Sequence, residues 1–394
     1  MLYGDGIHSD AAEIQSMLDS GMSVVYLPAP ERCYCIDRTL YIHSNQTLRL
    51  DPTTTIRLLP HSDCLMLSNA PGGAHDVCIL GGIWDFNNTN QRPNPFLDDA
   101  AATLPHLDGN PETVARYTDD YTGVVMRFFG VTRLRISGVT VKDPVTYCIQ
   151  MAETQYFTVE NIHFDQNDGN PRPTNMDGIH IDGGCRFGCI RNIQGTCYDD
   201  VVALNADDMH DGAISDIAVD GVFALNALRA VRLLSIKSPV SRISISNIFG
   251  TYYQNSVLIG YFYPFSGVRG RFDHIVLRNI FSSNAPRLPK YGKRSKGYVF
   301  AQIHVNGHVD ITGLEIAGAH RREECGDIES LIVEENAHIT DLSIEHMSLE
   351  NLTGKPFPMI RIDGTVDTLY MNGVTSSGNE LLKINGTVRL RKGE

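Results

Sequence analysis

Ile-Ser-Ile-Ser-Asn-Ile at 243–248 and Ile-Val-Leu-Arg-Asn-Ile at 275–280 share one shape, in which alternating apolar residues lead into Asn-Ile. A period of two belongs to a strand with one buried face. Working outward, the shape recurs upstream as Val-Thr-Arg-Leu-Arg-Ile-Ser-Gly-Val at 131–139 and Phe-Thr-Val-Glu-Asn-Ile-His-Phe at 157–164. Ile-Arg-Asn-Ile at 190–193 and Ile-Ser-Asp-Ile at 214–217 continue it, and 309–316, 339–347 and 366–371 are later copies. The terminal isoleucines Ile162, Ile193, Ile217, Ile248 and Ile280 are spaced by 31, 24, 31 and 32 residues.

Strands repeating at this interval with no crossover helices predict an all-β fold, a single-stranded parallel β-helix in which each coil adds Ile, Val and Leu to a continuous core. Propeller blades of roughly 40–45 residues are too long for this spacing, and a Rossmann-type sheet needs helices that are missing. One helix is expected, over about residues 10–20: Asp10 as its cap, Ile14, Met17 and Leu18 as its apolar stripe, Gly21 as its stop. It would cover the open end of the stack, where unpaired strand edges invite aggregation. No linker divides the 394 residues, so 1–394 reads as one domain. Two polar, Pro-containing stretches, 87–122 and 283–297, are too long for corner turns and are expected to flank a cleft.

Hydrophobic residues make up 42% and charged residues 20%, which excludes disorder. The formal net charge of −13 has the wrong sign for a general nucleic-acid binder, and no apolar run reaches the length of a membrane helix. The nine cysteines form no CxxC pair, and the closest, Cys33/Cys35 and Cys185/Cys189, have no histidine at zinc-site spacing. They read as small buried hydrophobes. The first residues lack a leader's basic and apolar regions, so the protein is expected in the cytoplasm if Met1 is the native start and outside the cell if a leader was removed.

The chemistry concentrates on two successive coils. The first reads Asn175-Met176-Asp177-Gly178-Ile179-His180-Ile181-Asp182, the second Cys197-Tyr198-Asp199-Asp200-Val201-Val202-Ala203-Leu204-Asn205. With Ile179, Ile181, Val202 and Leu204 inward, Asp177 stacks on Asp200 with Asp199 beside them, and adjacent coils lie about 4.8 Å apart. A single corner Asp ordinarily bonds turn amides. Three converging carboxylates cannot all ionise freely, and a protonated acid beside ionised neighbours is the pairing that glycosidic cleavage needs. On the next coil, Val231 and Leu233 inward put Arg229 above Asp200 and Arg232 above Ala203, where they could hold sugar hydroxyls or a carboxylate. On the preceding coil, Ile149 and Met151 inward put Gln150 and Tyr147 on the same face, the latter as a sugar-stacking platform. His180 is expected to contact substrate or orient a catalytic Asp. The acidic run Asp207-Asp208-Met209-His210-Asp211 lacks calcium-loop spacing and reads as a solvated turn.

At these residues the sequence resembles the polygalacturonase-type glycoside hydrolases of family 28, within the pectate-lyase-like group of right-handed parallel β-helices. The likeness begins at Gly4-Asp5-Gly6-Ile7-His8-Ser9-Asp10 and continues through Ile79-Leu80-Gly81-Gly82-Ile83-Trp84-Asp85 and Lys142-Asp143-Pro144-Val145-Thr146-Tyr147 to about residue 250. Asn175-Met176-Asp177-Gly178 matches the family's Asn-Thr-Asp-Gly, and Tyr198-Asp199-Asp200 its Gly-Asp-Asp. The resemblance implies a right-handed coil, Asp199 as the acid that protonates the leaving oxygen, Asp177 and Asp200 as activators of water, and inversion. The family's Gly-His-Gly is absent, and its Arg-Ile-Lys is at best Arg232-Leu233-Leu234, so the three Asp carry over while the His and Lys do not.

The expectation is therefore a glycoside hydrolase with a carbohydrate substrate, no metal and no cofactor, and neither nucleic acid nor membrane as partner. Two alternatives stand beside it: a polysaccharide lyase with calcium on the Asp side chains and Arg229 or Arg232 as base, and a non-catalytic glycan-binding β-helix.

Overall fold

The computed structural model describes residues 1–96, 121–261, 263–286 and 301–393. The chain divides into two compact units, Met1–Asp199 and Asp200–Glu394. Each is a right-handed parallel β-helix. In the first unit the strands stack coil on coil into three faces. Val24–Leu27, Gln46–Leu50, Ala74–Leu80, Val131–Ser137, Gln155–Asp165 and Arg186–Gly195 build one. Tyr34–Ile36, Thr55–Leu58, Ile83–Asp85 and Thr140–Lys142 build another. The third, which carries the candidate site, runs through Leu40–Ile42, Leu67–Asn69, Met126–Phe129, Ile149–Ala152 and Ile179–Ile181. In the second unit one face begins at Asp200–Asn205, which pairs with the end of Ile214–Leu234, and later runs through Ile303–Val305, Leu331–Val333 and Ile360–Ile362 to Leu382–Ile384.

The Asn-Ile signature has a backbone cause. Asn161, Asn192, Asp216, Asn247 and Asn279, each just before a marker isoleucine, have φ between 53° and 59°. Left-handed backbone costs most residues about 1–2 kcal/mol, and Asn and Asp tolerate it because their short side chains bond locally. Here they bond along the stack: Asn192 Nδ2 donates to Asn161 Oδ1 at 2.7 Å, Asn279 to Asn247 at 3.2 Å, and Asn247 to Asp220 at 2.6 Å. The turn swings the following Ile inward, and all five marker isoleucines are buried.

The helix forms at Ala11–Asp19 and buries Ala11, Ile14 and Leu18. Asp10 does not cap it with its side chain. Its carboxylate instead accepts the backbone N–H groups of Tyr3, Gly4 and Cys35, tying the N-terminus to the first coil. The acidic run at 207–211 is also not a solvated turn. Asp207 is buried, and its Oδ2 accepts three successive N–H groups, from Ile236, Lys237 and Ser238, at 2.7–2.8 Å. Asp208 accepts Asn205 and Tyr263, and Lys237 pairs with Asp211 at 2.6 Å. These are anchors that a reading of charge alone cannot distinguish from surface acids. Five cysteines are buried, while Cys64, Cys78 and Cys189 are half-buried and Cys325 is exposed. Of the two long stretches, 97–120 and 287–300 lie outside the described residues. Residues 87–96 pack down: Asn88 donates to Pro144 O and Asn167, and Asn94 to Thr174 O, bracing the segment that leads to Asp177.

Replacing Asn247 with Ala removes both its tolerance of a positive φ and its bond to Asp220. The expected loss is about 1–2 kcal/mol in urea denaturation, with Asn247→Gly retaining most of the stability.

Candidate active site

Pairing of Ile149–Ala152 with Ile179–Ile181 sets Gln150 beside His180 while Ile149, Met151, Ile179 and Ile181 fill the core. The sequence makes this placement unavoidable, because the alternation that buries the two isoleucines sends His180 to the other side. There His180 lies between two carboxylates: Nδ1 is 2.6 Å from Asp177 Oδ2 and Nε2 is 3.2 Å from Asp182 Oδ1. Gln150 Nε2 donates to the other oxygen of Asp182 at 2.8 Å. The Tyr147 ring stacks on the imidazole at 4.0 Å and 12°. His180 is 1% exposed and Asp177 3%.

Burial is the largest influence on His180 and opposes its charge, but Asp182 and Asp177 outweigh it, raising its pKa well above the ordinary histidine value. With a carboxylate at each nitrogen, the surroundings favour the charged form of the ring. Of the two expected partners of His180, substrate or a neighbouring Asp, the structure shows Asp177, while Gln150, expected to meet substrate, bonds Asp182. Tyr147 has His180 on one side and Phe96 near its ring at 6.1 Å, and at 4% exposure it is no open platform. Asp182, the far end of the relay, went unassigned; its place two residues after His180, outward on the same strand alternation, was the available signal.

Asp199, half-buried, comes together with Asp177: one oxygen of each lies within 4.8 Å of the other. The approach to Asp199 is set by Gln166, whose Oε1 accepts the backbone N–H of Tyr198 at 3.3 Å. Asp200, the next residue, opens the second unit and is fully buried. Its register is Asp200 beside Arg229 and Ala203 beside Arg232. Arg229 Nη1 bonds Asp200 Oδ1 at 2.8 Å, and Arg232 Nη1 lies 3.6 Å from Oδ2. Both arginines are nearly buried, so they balance a buried carboxylate.

Within the first unit, Asp177 and Asp199 bring hard carboxylate oxygens together, a donor type that suits calcium. Yet His180 already bonds Asp177, and two carboxylates fall short of the roughly six to eight oxygens calcium takes, so the pair by itself fits calcium poorly.

No protein-family model matches the chain, and no curated protein matches it in sequence. Solved structures do match. The family 28 exopolygalacturonase of Yersinia enterocolitica superposes with a TM-score of 0.58 at 13% identity, over 100% of this chain and 76% of that one. The chain has a polygalacturonase-like fold. The A-module of the mannuronan C-5 epimerase AlgE4 of Azotobacter vinelandii matches with a TM-score of 0.57 at 12% identity, over 100% and 98%. The surface adhesin PfbA of Streptococcus pneumoniae matches at 0.52 and 14% identity, over 95% and 89%. A hydrolase, an epimerase and an adhesin share this polygalacturonase-like coil, so chemistry must be argued from the outward side chains. No helix among the described residues is long and apolar enough to cross a membrane.

His180 also makes stability pH-dependent in a stated direction. A group whose folded pKa is raised stabilises fully below its unfolded value of about 6.5, and that contribution is lost as pH rises through the folded value. Guanidinium denaturation across a pH series should show stability declining above neutrality, with this slope missing in His180→Gln. The substitution itself should cost about 3–5 kcal/mol, because it strands buried carboxylates.

Proposed function

We propose that this protein is a glycoside hydrolase in which Asp199 is the general acid and Asp177 the general base. The observation that carries the reading is the unequal treatment of two carboxylates within 4.8 Å of each other. Asp177 is bonded by the buried His180, whereas Asp199 is half-buried and can meet a substrate. Two carboxyl groups this close share charge poorly, so one retains a proton beside an ionised partner. Asp199 gives its proton to the leaving glycosidic oxygen as the C–O bond breaks. Asp177 takes a proton from the water that attacks the anomeric carbon. Water held between the two carboxylates would need about 6.5–9.5 Å. The spacing of Asp177 and Asp199 is shorter, so inversion rests on the resemblance to family 28 and not on the spacing.

The lyase reading is disfavoured by the arginines. Arg229 is buried and bonded to Asp200, so it is a poor proton acceptor, and the acidic pair fits calcium poorly. The glycan-binding reading has one observation in its favour, the adhesin among the matching folds.

Screening defined oligosaccharides with chromatographic product identification tests the proposal. Asp199→Asn and Asp177→Asn should each lower kcat by about 10²–10⁴ while leaving glycan affinity within a few-fold. Proton NMR of the first-formed sugar should show the inverted anomer. Product absorbing in the ultraviolet and lost with chelator would establish the lyase instead, and affinity with no turnover in the native chain would establish the binder.

A further inference from the structure

On the second unit, the face that begins with Asp200 continues into a cavity of about 480 Å³. Its wall includes Arg229, Gln254, Tyr261, Asn306, Glu334 and Glu335. Arg229, on the cavity wall, also bonds Asp200 at 2.8 Å. That bond also neutralises it. Glu334 accepts His304 Nε2 at 2.8 Å and the Gly307 N–H at 2.9 Å. Burial works against its charge, yet His304, Gly307 and Asn306 prevail and hold its carboxyl below the ordinary range, so it is ionised. Glu335 beside it is exposed. Gln254 contributes a buried Oε1 with no donor in reach. Tyr261 supplies a rigid apolar side, its ring edge-on to Phe265 at 5.7 Å and its hydroxyl bonded to Ser266 at 2.8 Å.

We infer that this cavity binds an uncharged, hydroxyl-rich sugar unit in preference to a uronate. The wall is rich in acceptors: the Gln254 oxygen and two carboxylates. Sugar hydroxyls can donate to the carboxylates directly, and to the Gln254 oxygen, which is sealed from solvent, once the amide turns toward the cavity. A buried acceptor without a donor is costly, and a ligand hydroxyl relieves that cost. With Arg229 paired to Asp200 and Glu334 to His304, the exposed Glu335 leaves the wall net negative, and a uronate carboxylate would be repelled by it. Leu234, buried where the resemblance would place a lysine, adds no cation to offset that charge. The inference rests on the hydrolase reading for cleavage, though not for binding.

Calorimetric titration of the full chain carrying Asp199→Asn, which blocks turnover, separates the cases. The probes are uronic-acid oligosaccharides and the same oligosaccharides after reduction of their carboxyl groups to alcohols. The reduced forms should bind at least about 10-fold tighter, and Gln254→Ala should weaken them about 10-fold. Glu335→Lys, at an exposed position that does not threaten folding, should narrow the gap to a few-fold. Tighter binding of the uronic forms, or affinities that neither substitution moves, overturns the inference. Turnover by the native chain is scored separately. Binding of neutral forms with no cleavage upholds the cavity's assignment and removes the acid/base reading, whereas cleavage with the opposite affinity order does the reverse.

Discussion

A left-handed residue ahead of an inward isoleucine turns the chain from one face of the coil to the next, and coil after coil repeats it. With Asn161, Asn192, Asn247 and Asn279 fixed in this conformation, Ile162, Ile193, Ile248 and Ile280 have no choice but to enter the core. Once the inward residues are set, period-two alternation sets the outward ones. Parallel pairing then brings residues a coil apart side by side, as Gln150 and His180 are, or Asp200 and Arg229. A slip of one residue would exchange core for surface along a whole strand. The same register that buries the hydrophobic core therefore assembles the polar face.

That polar face contains its own cost. Asp177, His180 and Asp182 are all buried, and so are Asp200, Arg229 and Arg232. Desolvating such charges is recovered only when each has a partner in good geometry, and packed apolar side chains of similar size often serve stability as well or better. Burial of charge is not confined to these residues, since Arg321 and Glu323 form a buried pair elsewhere in the stack, but there a single carboxylate meets a single guanidinium. The His180 ring between Asp177 and Asp182 fixes the orientation of Asp177, a constraint useful to a reacting carboxylate and superfluous to a scaffold. The contrast with Asp207 is instructive: its oxygen takes three backbone N–H groups and simply closes a loop.

Repetition made the architecture legible from the chain alone. The Asn-Ile shape fixed strand positions, spacing and inward residues, and from these the neighbours Asp200–Arg229 and Ala203–Arg232 followed without coordinates. Capping by Asp10 did not follow, because distant Tyr3, Gly4 and Cys35 compete for its oxygens, and local pattern holds no information about them. The role of His180 was half legible. Its outward direction came from alternation, but its burial depends on Tyr147 stacking over it and Gln150 closing the far side of Asp182. Gln254, Tyr261 and Glu334 were invisible for another reason. They belong to a stretch where only the ladder repeats, and their convergence is created by coils separated by some 80 residues, Gln254 to Glu334.

One coil hosts a hydrolase, an epimerase and an adhesin among the structures it matches, so the fold alone leaves the chemistry open. The outward residues narrow it. Proton abstraction from a uronate needs a base free to accept and a cation to stabilise the resulting anion. In this protein the arginines nearest the acidic residues are spent on Asp200, and the histidine is held between two carboxylates that favour its charged form. What remains with access to a ligand is a carboxyl group, Asp199, within 4.8 Å of the carboxylate of Asp177. On the proposed reading that pair donates a proton to a leaving oxygen and activates water, whereas a site that only holds glycans makes no use of a proton.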